Sequence, residues 1–380
     1  MDRILLVGIF GALAVAAATA GNGAAQAPDD QIMYVGTYTR PPSKGIYAYR
    51  LRAGGEITPM GADALAVETE HPSFLAVHPS QRFLYAVNER DRDGAVSAFA
   101  IDPATAKLTF LNRVSTSGGS PCHVSTDASG KWLFVANYGG GSVVSFPLQP
   151  DGRVGEASTL MQHSGSSVNK ARQSGPHGHA VTPSPDNRFV LAADLGLDRV
   201  IAYRLDPATG LGPKDPVTTN IAPGSGPRHL AFRPDGKFVY VLNEMFSNVI
   251  AFRYDAARGA LAELQTVSAL PQGFKGESSG AEIAVHPGGK FVYASNRGHD
   301  SIAGFRVDAA KGTLTQIGHT STQGRTPRHF AIDPTGRLLL AANQNSGSVV
   351  VFRIDQETGA LTPSGVTLQV PSPVCIVFGG

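Results

Sequence analysis

Cysteine is nearly absent. Two residues in 380, Cys122 and Cys375, cannot staple a small fold together, which excludes a disulfide-built miniprotein. An excess of one charge is missing too: 32 Lys and Arg face 30 Asp and Glu, for a formal net charge of +2. No basic run alternates with aromatics as a nucleic-acid groove requires, so nucleic acid is excluded as the expected partner. Long apolar runs are absent beyond the first twenty residues, which leaves nothing to cross a membrane once that segment is gone. What the chain does have is an apolar content of 42%, ample for a large core and incompatible with intrinsic disorder.

The first twenty residues carry a distinct signature. Arg3 precedes an apolar run from Ile4 to Ala18, and Ala18-Thr19-Ala20 offers small residues for cleavage. This is the pattern of a secretory signal peptide. Residues 1–20 are therefore read as a signal peptide and 21–30 as a flexible lead-in to a single domain over 31–380. The expected location is periplasmic or secreted.

Self-comparison is the most informative operation on the remainder. Six segments repeat one pattern of short strand, Pro/Gly/Asp turn, basic residue, apolar strand and polar residue. They are HPSFLAVHPSQRFLYAVNE (71–89), SPCHVSTDASGKWLFVANY (120–138), GHAVTPSPDNRFVLAADL (178–195), PRHLAFRPDGKFVYVLNE (227–244), AEIAVHPGGKFVYASNR (281–297) and PRHFAIDPTGRLLLAANQ (327–344). Most are followed by a third strand such as SNVIAFRYD (247–255) and often by a fourth. Repeats of about 46 to 57 residues with four strands each have the spacing of propeller blades. The ends supply a seventh: SPVCIVF (372–378) gives its inner strand, and MYVGTYT (33–39) with GIYAYRL (45–51) continues it. The fold class is thus predicted as all-β, a seven-bladed propeller of four-stranded antiparallel blades, its ring closed by the N- and C-terminal strands in one blade.

Positions shared by the repeats are explained by the scaffold, so those at which charge varies are the candidates for function. The residue opening the first strand is Ser73, Cys122, His179, Arg228, Glu282 or Arg328; the residue closing the second is Glu89, Tyr138, Leu195, Glu244, Arg297 or Gln344. A hairpin places these two ends side by side, and inner strands surround a central channel. The expected result is a ring of His179, Arg228, Glu244, Glu282, Arg297 and Arg328 at one mouth, in which Arg228 with Glu244 and Arg297 with Glu282 are the natural pairs. Guanidiniums there suit an anionic or carbonyl-bearing ligand, and a carboxylate or His179 suits proton transfer.

His177 and His179 fall two apart, but no third metal ligand is evident, and neither metal nor cofactor is expected. His229 and His329 follow ring arginines and alternate to the opposite face, where packing between blades is their expected role. His123 holds the same repeat position beside Cys122 and is a reserve candidate. Gly276-Glu277-Ser278-Ser279-Gly280 matches the G-x-S-x-G string but precedes an inner strand instead of a helix, so it is no nucleophile elbow. The two cysteines are placed on blades 2 and 7 with blade 1 between them, which argues against a disulfide.

YVGTYT near the start, GPHGHA, GPRHLAFRPDGKFVYVLNE, EIAVHPGGKFVYASNRGHDSI and TPRHFAIDPTGRLLLAANQ together resemble the lactonase family of seven-bladed propellers. That family includes propeller-type 6-phosphogluconolactonases and carboxymuconate-lactonising enzymes. The resemblance runs from about Tyr34 to Phe378. It implies hydrolysis or formation of a lactone without an essential metal, and a His, Arg and Glu site carried over onto His179, Arg228, Glu244 and Arg297. Arg328, Glu282, His177, His123, Tyr138 and Gln344 are added as substrate contacts. The expected partner is a small-molecule lactone, anionic or polyhydroxylated, acted on by a monomer; export leaves its phosphorylation open. A non-catalytic binding propeller and a muconate-type cycloisomerase are the rival readings.

Overall fold

The computed structural model describes Met1 and residues 30–379. Apart from Met1 and Asp30, the expected signal peptide and lead-in lie outside the described residues. The first strand is Asp30–Thr37.

Seven antiparallel sheets follow one another around the ring, as the repeats predict. Blades 1 to 6 each run outward in chain order from an inner strand: Leu75–Val77, Pro121–Thr126, Gly178–Pro183, Pro227–Phe232, Ser279–Val285 and Pro327–Ile332. Blade 7 takes its inner strand, Pro373–Phe378, from the C-terminus and its second, Asp30–Thr37, from the N-terminus. The two pair antiparallel from Met33↔Phe378 to Thr37↔Pro373, so the seam is hydrogen-bonded like any other hairpin and leaves no free edge.

Second strands such as Phe238–Asn243 and Leu338–Asn343 are buried along their whole length, which is why they read as unbroken apolar runs. Alternation then divides them between neighbours. Phe238, Tyr240 and Leu242 pack toward blade 5, whereas Val239 and Val241 pack toward blade 3. Seven such clusters, one between each pair of adjacent blades, make up the core. Tyrosines lock it: Tyr240 OH donates to the Gly312 carbonyl of the next blade (3.1 Å) and Tyr293 OH to that of Gly359 (2.8 Å). Gly312 has φ +75°, and a Cβ there would overlap the Phe238 ring. No other residue fits that turn.

One irregularity was not visible in the repeats. In blades 2 to 7 the inner strand carries a register shift near its start, as between Pro227↔Asn243 and His229↔Leu242. Such a β-bulge leaves one residue unpaired and turns consecutive side chains toward the same side. In blades 2, 3, 4 and 6 the unpaired residues are Cys122, His179, Arg228 and Arg328, the strand-opening residues selected by comparing repeats.

Candidate active site

The ring forms, but its charges sort differently from the expected pairs. Glu244 is the hub. Its Oε1 accepts from Arg172 Nη2 (2.6 Å), and its Oε2 from Arg228 Nε (3.1 Å) and Arg297 Nη2 (3.0 Å). Arg297 therefore pairs with Glu244 across the interface between blades 4 and 5, not with Glu282 as the strand ends suggested; its Nη2 also donates to Gly280 O. Burial pushes the Glu244 carboxyl up, but Arg297 and Arg228, with Arg172, overcome it and hold the group at about 2. Arg228 is itself drawn down to about 10 by burial and by the neighbouring Arg297 and Arg328.

Glu282 lies with the imidazoles instead. His229 Nδ1 is 2.9 Å and His329 Nε2 3.3 Å from its Oε2. The hydrogen bonds fix both tautomers. His229 Nε2 faces Arg228 Nη1 at 3.3 Å, which only donates, so the His229 proton sits on Nδ1. His329 Nδ1 accepts from the Ile376 amide, so its proton sits on Nε2. Both N–H groups point at the carboxylate. Burial raises the Glu282 carboxyl, against the pull of His329 and Arg228.

The expectation that His229 and His329 pack between blades is corrected here. Both touch Phe74, with centroids 5.6 Å apart in each case, and Phe74 stacks on His123 at 4.3 Å. Blade 1 neighbours neither blade 4 nor blade 6, so these contacts run across the axis, and Phe74 plugs the channel below the mouth. The bulge explains the error, since strict alternation does not hold through it. His179 joins this layer, edge-on to His229 at 5.1 Å and to Tyr138 at 5.6 Å. Cys122 and Cys375 are both buried and free, in different blades, and burial pushes both thiols up.

Burial, aided by Arg228 and neighbouring imidazoles, holds His123, His179 and His229 well below the ordinary histidine value, and His329 falls to about 4. In the unfolded chain these groups protonate near 6.5. Their contribution is complete above that pH and is lost as the pH falls toward the folded values. Thermal unfolding between pH 7 and pH 4 is expected to show a steep acid loss, His329 alone accounting for roughly 3 kcal/mol. His123→Phe is expected to make the slope shallower.

At the mouth, Tyr138 accepts a hydrogen bond from Arg172 Nη2 (3.3 Å) and stacks on His177 (4.4 Å). His177 Nδ1 donates to Tyr138 O (2.9 Å). A pocket of about 490 Å³ opens above Glu244 and Arg297, its wall including Arg172, Met245, Ser278 and Thr326. Ser278 leads directly into the inner strand that begins at Ser279, with no helix after it. On the other side of the mouth, Gln344 lines a second pocket of about 500 Å³ with Tyr38, His71 and Glu89. Arg328 holds its guanidinium 5.5 Å from the Tyr38 ring. It makes no hydrogen bond or ion pair among the described residues. Among those residues no group of three or more His, Cys, Asp or Glu side chains is arranged to hold a metal ion.

Several of these groups escaped the repeat comparison. Arg172 belongs to the loop between blades 2 and 3, outside every repeat, where only its charge distinguished it. Tyr38 follows Thr37 as Glu244 follows Asn243, and aligning the seventh blade would have found it. Phe74 carried no signal, because an apolar residue in an inner strand reads as core.

Residues 32–378 match the family model described as lactonase, 7-bladed beta-propeller. The chain is 40% identical over 352 residues to a 6-phosphogluconolactonase of Bacillus subtilis, covering 91% of this chain and 98% of that one. It is 35% identical over 309 residues to a 6-phosphogluconolactonase of Formosa agariphila, covering 79% and 85%. The solved structure of the Pseudomonas aeruginosa periplasmic gluconolactonase superposes with a TM-score of 0.86 at 34% identity, over 92% of this chain and 99% of that one. On this extent of match and on the propeller geometry, the chain belongs to the lactonase family of seven-bladed beta-propellers.

Proposed function

We propose that this protein is an exported hydrolase that opens the internal ester of a sugar-type lactone at the channel mouth. One observation carries the reading: Glu244 gathers three guanidiniums, of Arg172, Arg228 and Arg297, of which Arg172 and Arg297 line the 490 Å³ pocket, while Arg328 nearby has no ion-pair partner among the described residues. A site with cationic donors in excess suits a carbonyl oxygen that gains negative charge during attack. Water attacks the lactone carbonyl carbon, Arg297 stabilises the oxyanion, and the ring C–O bond breaks. His179, neutral near pH 7, takes the proton from water and returns it to the leaving alkoxide. Glu244, with both carboxylate oxygens already accepting from Arg172, Arg228 and Arg297, serves to fix the guanidiniums. Export is supported by the apolar N-terminal segment and by the periplasmic relative.

The test is a panel of lactones followed by proton release, beside a panel of muconate-like dicarboxylates followed by ultraviolet loss. Lactone consumption with one proton per turnover supports the proposal. Loss of dicarboxylate without lactone opening makes the protein a cycloisomerase, and no turnover of either makes it a binding propeller. Arg172 reaches the site from a loop and its side chain is 43% exposed. Arg172→Ala is expected to raise KM about tenfold with a smaller effect on kcat, as loss of one charge-assisted contact would. Steady-state kinetics on the best lactone of the panel checks it.

A further inference from the structure

The second pocket, of about 500 Å³ on blades 6, 7 and 1, has no part in the mechanism above. It nevertheless adjoins the site. Thr326 lines the first pocket and Gln344 the second, and the Gln344 amide donates to Thr326 O (2.9 Å) at the open end of one hairpin. Glu89 lines the second pocket and also the narrow cleft beneath the mouth, which Arg228 and Arg328 line as well. The two pockets are thus neighbouring compartments of one mouth, with Tyr38 in the wall of the second. Each compartment lies within the range of about 300 to 1,000 Å³ typical of a small-ligand pocket. One sugar-sized lactone occupies only one.

The second compartment differs in charge from the first. Its carboxylates, Glu70, Glu89 and Asp91, outnumber its guanidiniums, Arg40 and Arg90. Arg90 is already paired with Glu70 at 3.4 Å. Glu89 accepts from the Tyr38 and Ser73 hydroxyls. His71 Nδ1 accepts from the Thr39 amide (3.2 Å), which places its proton on Nε2 as a donor. With its carboxylates outnumbering its guanidiniums, the wall itself offers no cationic clamp for a phosphate. Carboxylates, an imidazole N–H and an amide beside a tyrosine ring are the groups that pair with sugar hydroxyls.

We infer that this compartment is a glycosyl subsite, and that the substrate is the lactone of an oxidised oligosaccharide. Its lactone ring lies over Glu244 and Arg297, and its next sugar lies against His71, Asp91 and Gln344. Only the lactone C–O bond is cleaved; the glycosidic bond is untouched. The reaction that supplies such a substrate is oxidation of a reducing-end sugar at its anomeric carbon. This inference rests on the lactonase reading and extends it to substrate length.

The experiment compares the 1,5-lactones of gluconic acid, 6-phosphogluconic acid and a disaccharide aldonic acid such as cellobionic acid, each corrected for spontaneous hydrolysis. The disaccharide lactone is expected to show kcat/KM at least tenfold above those of gluconolactone and the phosphorylated lactone. His71→Ala and, independently, Asp91→Asn are expected to lower kcat/KM for the disaccharide lactone about tenfold and to leave gluconolactone within twofold. Equal or lower kcat/KM for the disaccharide lactone, or equal losses on both lactones in both variants, would overturn the subsite while sparing the lactonase reading. Failure to hydrolyse any of the three overturns the lactonase reading itself.

Discussion

Replacing His179 by Gln is expected to lower kcat for lactone opening by roughly 10² to 10⁴-fold, the usual worth of a positioned proton-transfer group, while the propeller stays folded. The argument is one of supply. A lactone hydrolase must remove a proton from water and place one on the alkoxide, and few groups at or just beneath this mouth can do both. Both oxygens of Glu244 are taken by its guanidiniums. Glu282 is enclosed by two imidazole N–H groups, and His229 and His329 are committed to it. His123 lies flat against Phe74. His179 remains, on the bulge of blade 3, with Tyr138 and His229 against its ring and no carboxylate partner. Gln preserves much of the side chain's polarity but moves no proton. A pH-stat assay beside a thermal melt checks both halves of the expectation, and unchanged kcat would remove His179 from the mechanism.

Glu244→Gln carries the second large effect, and it strikes stability as well as rate. The carboxylate is the common acceptor for Arg172, Arg228 and Arg297. Without it three guanidiniums repel one another in a largely desolvated place. Breaking a buried ion pair from one side costs about 3 to 5 kcal/mol, so the thermal midpoint is expected to fall by several degrees, with kcat/KM down roughly 100-fold as Arg297 loses its orientation. The pH dependence has a definite sign. The folded carboxyl lies below its ordinary value of 4.5, at about 2. Its stabilisation is therefore complete above pH 4.5 and lost as the pH falls toward 2. The shift corresponds to roughly 3 kcal/mol, and urea midpoints measured across that window are expected to decline in the parent and to stay flatter in the variant. A fall in kcat with an unchanged melt would instead give Glu244 the proton-transfer role.

The fold was legible because a propeller writes itself into sequence seven times. Turn residues, apolar second strands and the closing Asn or Asp recur at fixed offsets, and the terminal strands completed the count. The strand-opening residues were legible for the same reason: Arg228 and Arg328 stand where other blades carry Ser73 or Cys122. The partners of those charges were not. Which guanidinium reaches Glu244 depends on the lean of neighbouring blades and on a bulge that no single repeat displays, so Arg297 was assigned to Glu282. His229 and His329 were sent to the blade interfaces for the same reason, since period-two alternation breaks exactly where the bulge begins. Arg172 had no counterpart in any repeat. Comparison among blades is blind to what a single loop adds.

The hairpin joining Asp30–Thr37 to Pro373–Phe378 sets the timetable of assembly. Six sheets draw all their strands from one contiguous stretch of chain, but the seventh waits for the last segment to be made. Until residues 373–378 arrive, the half-built circle presents raw flanks on both sides of the gap. Clipping those few residues is therefore a more damaging truncation than its length suggests.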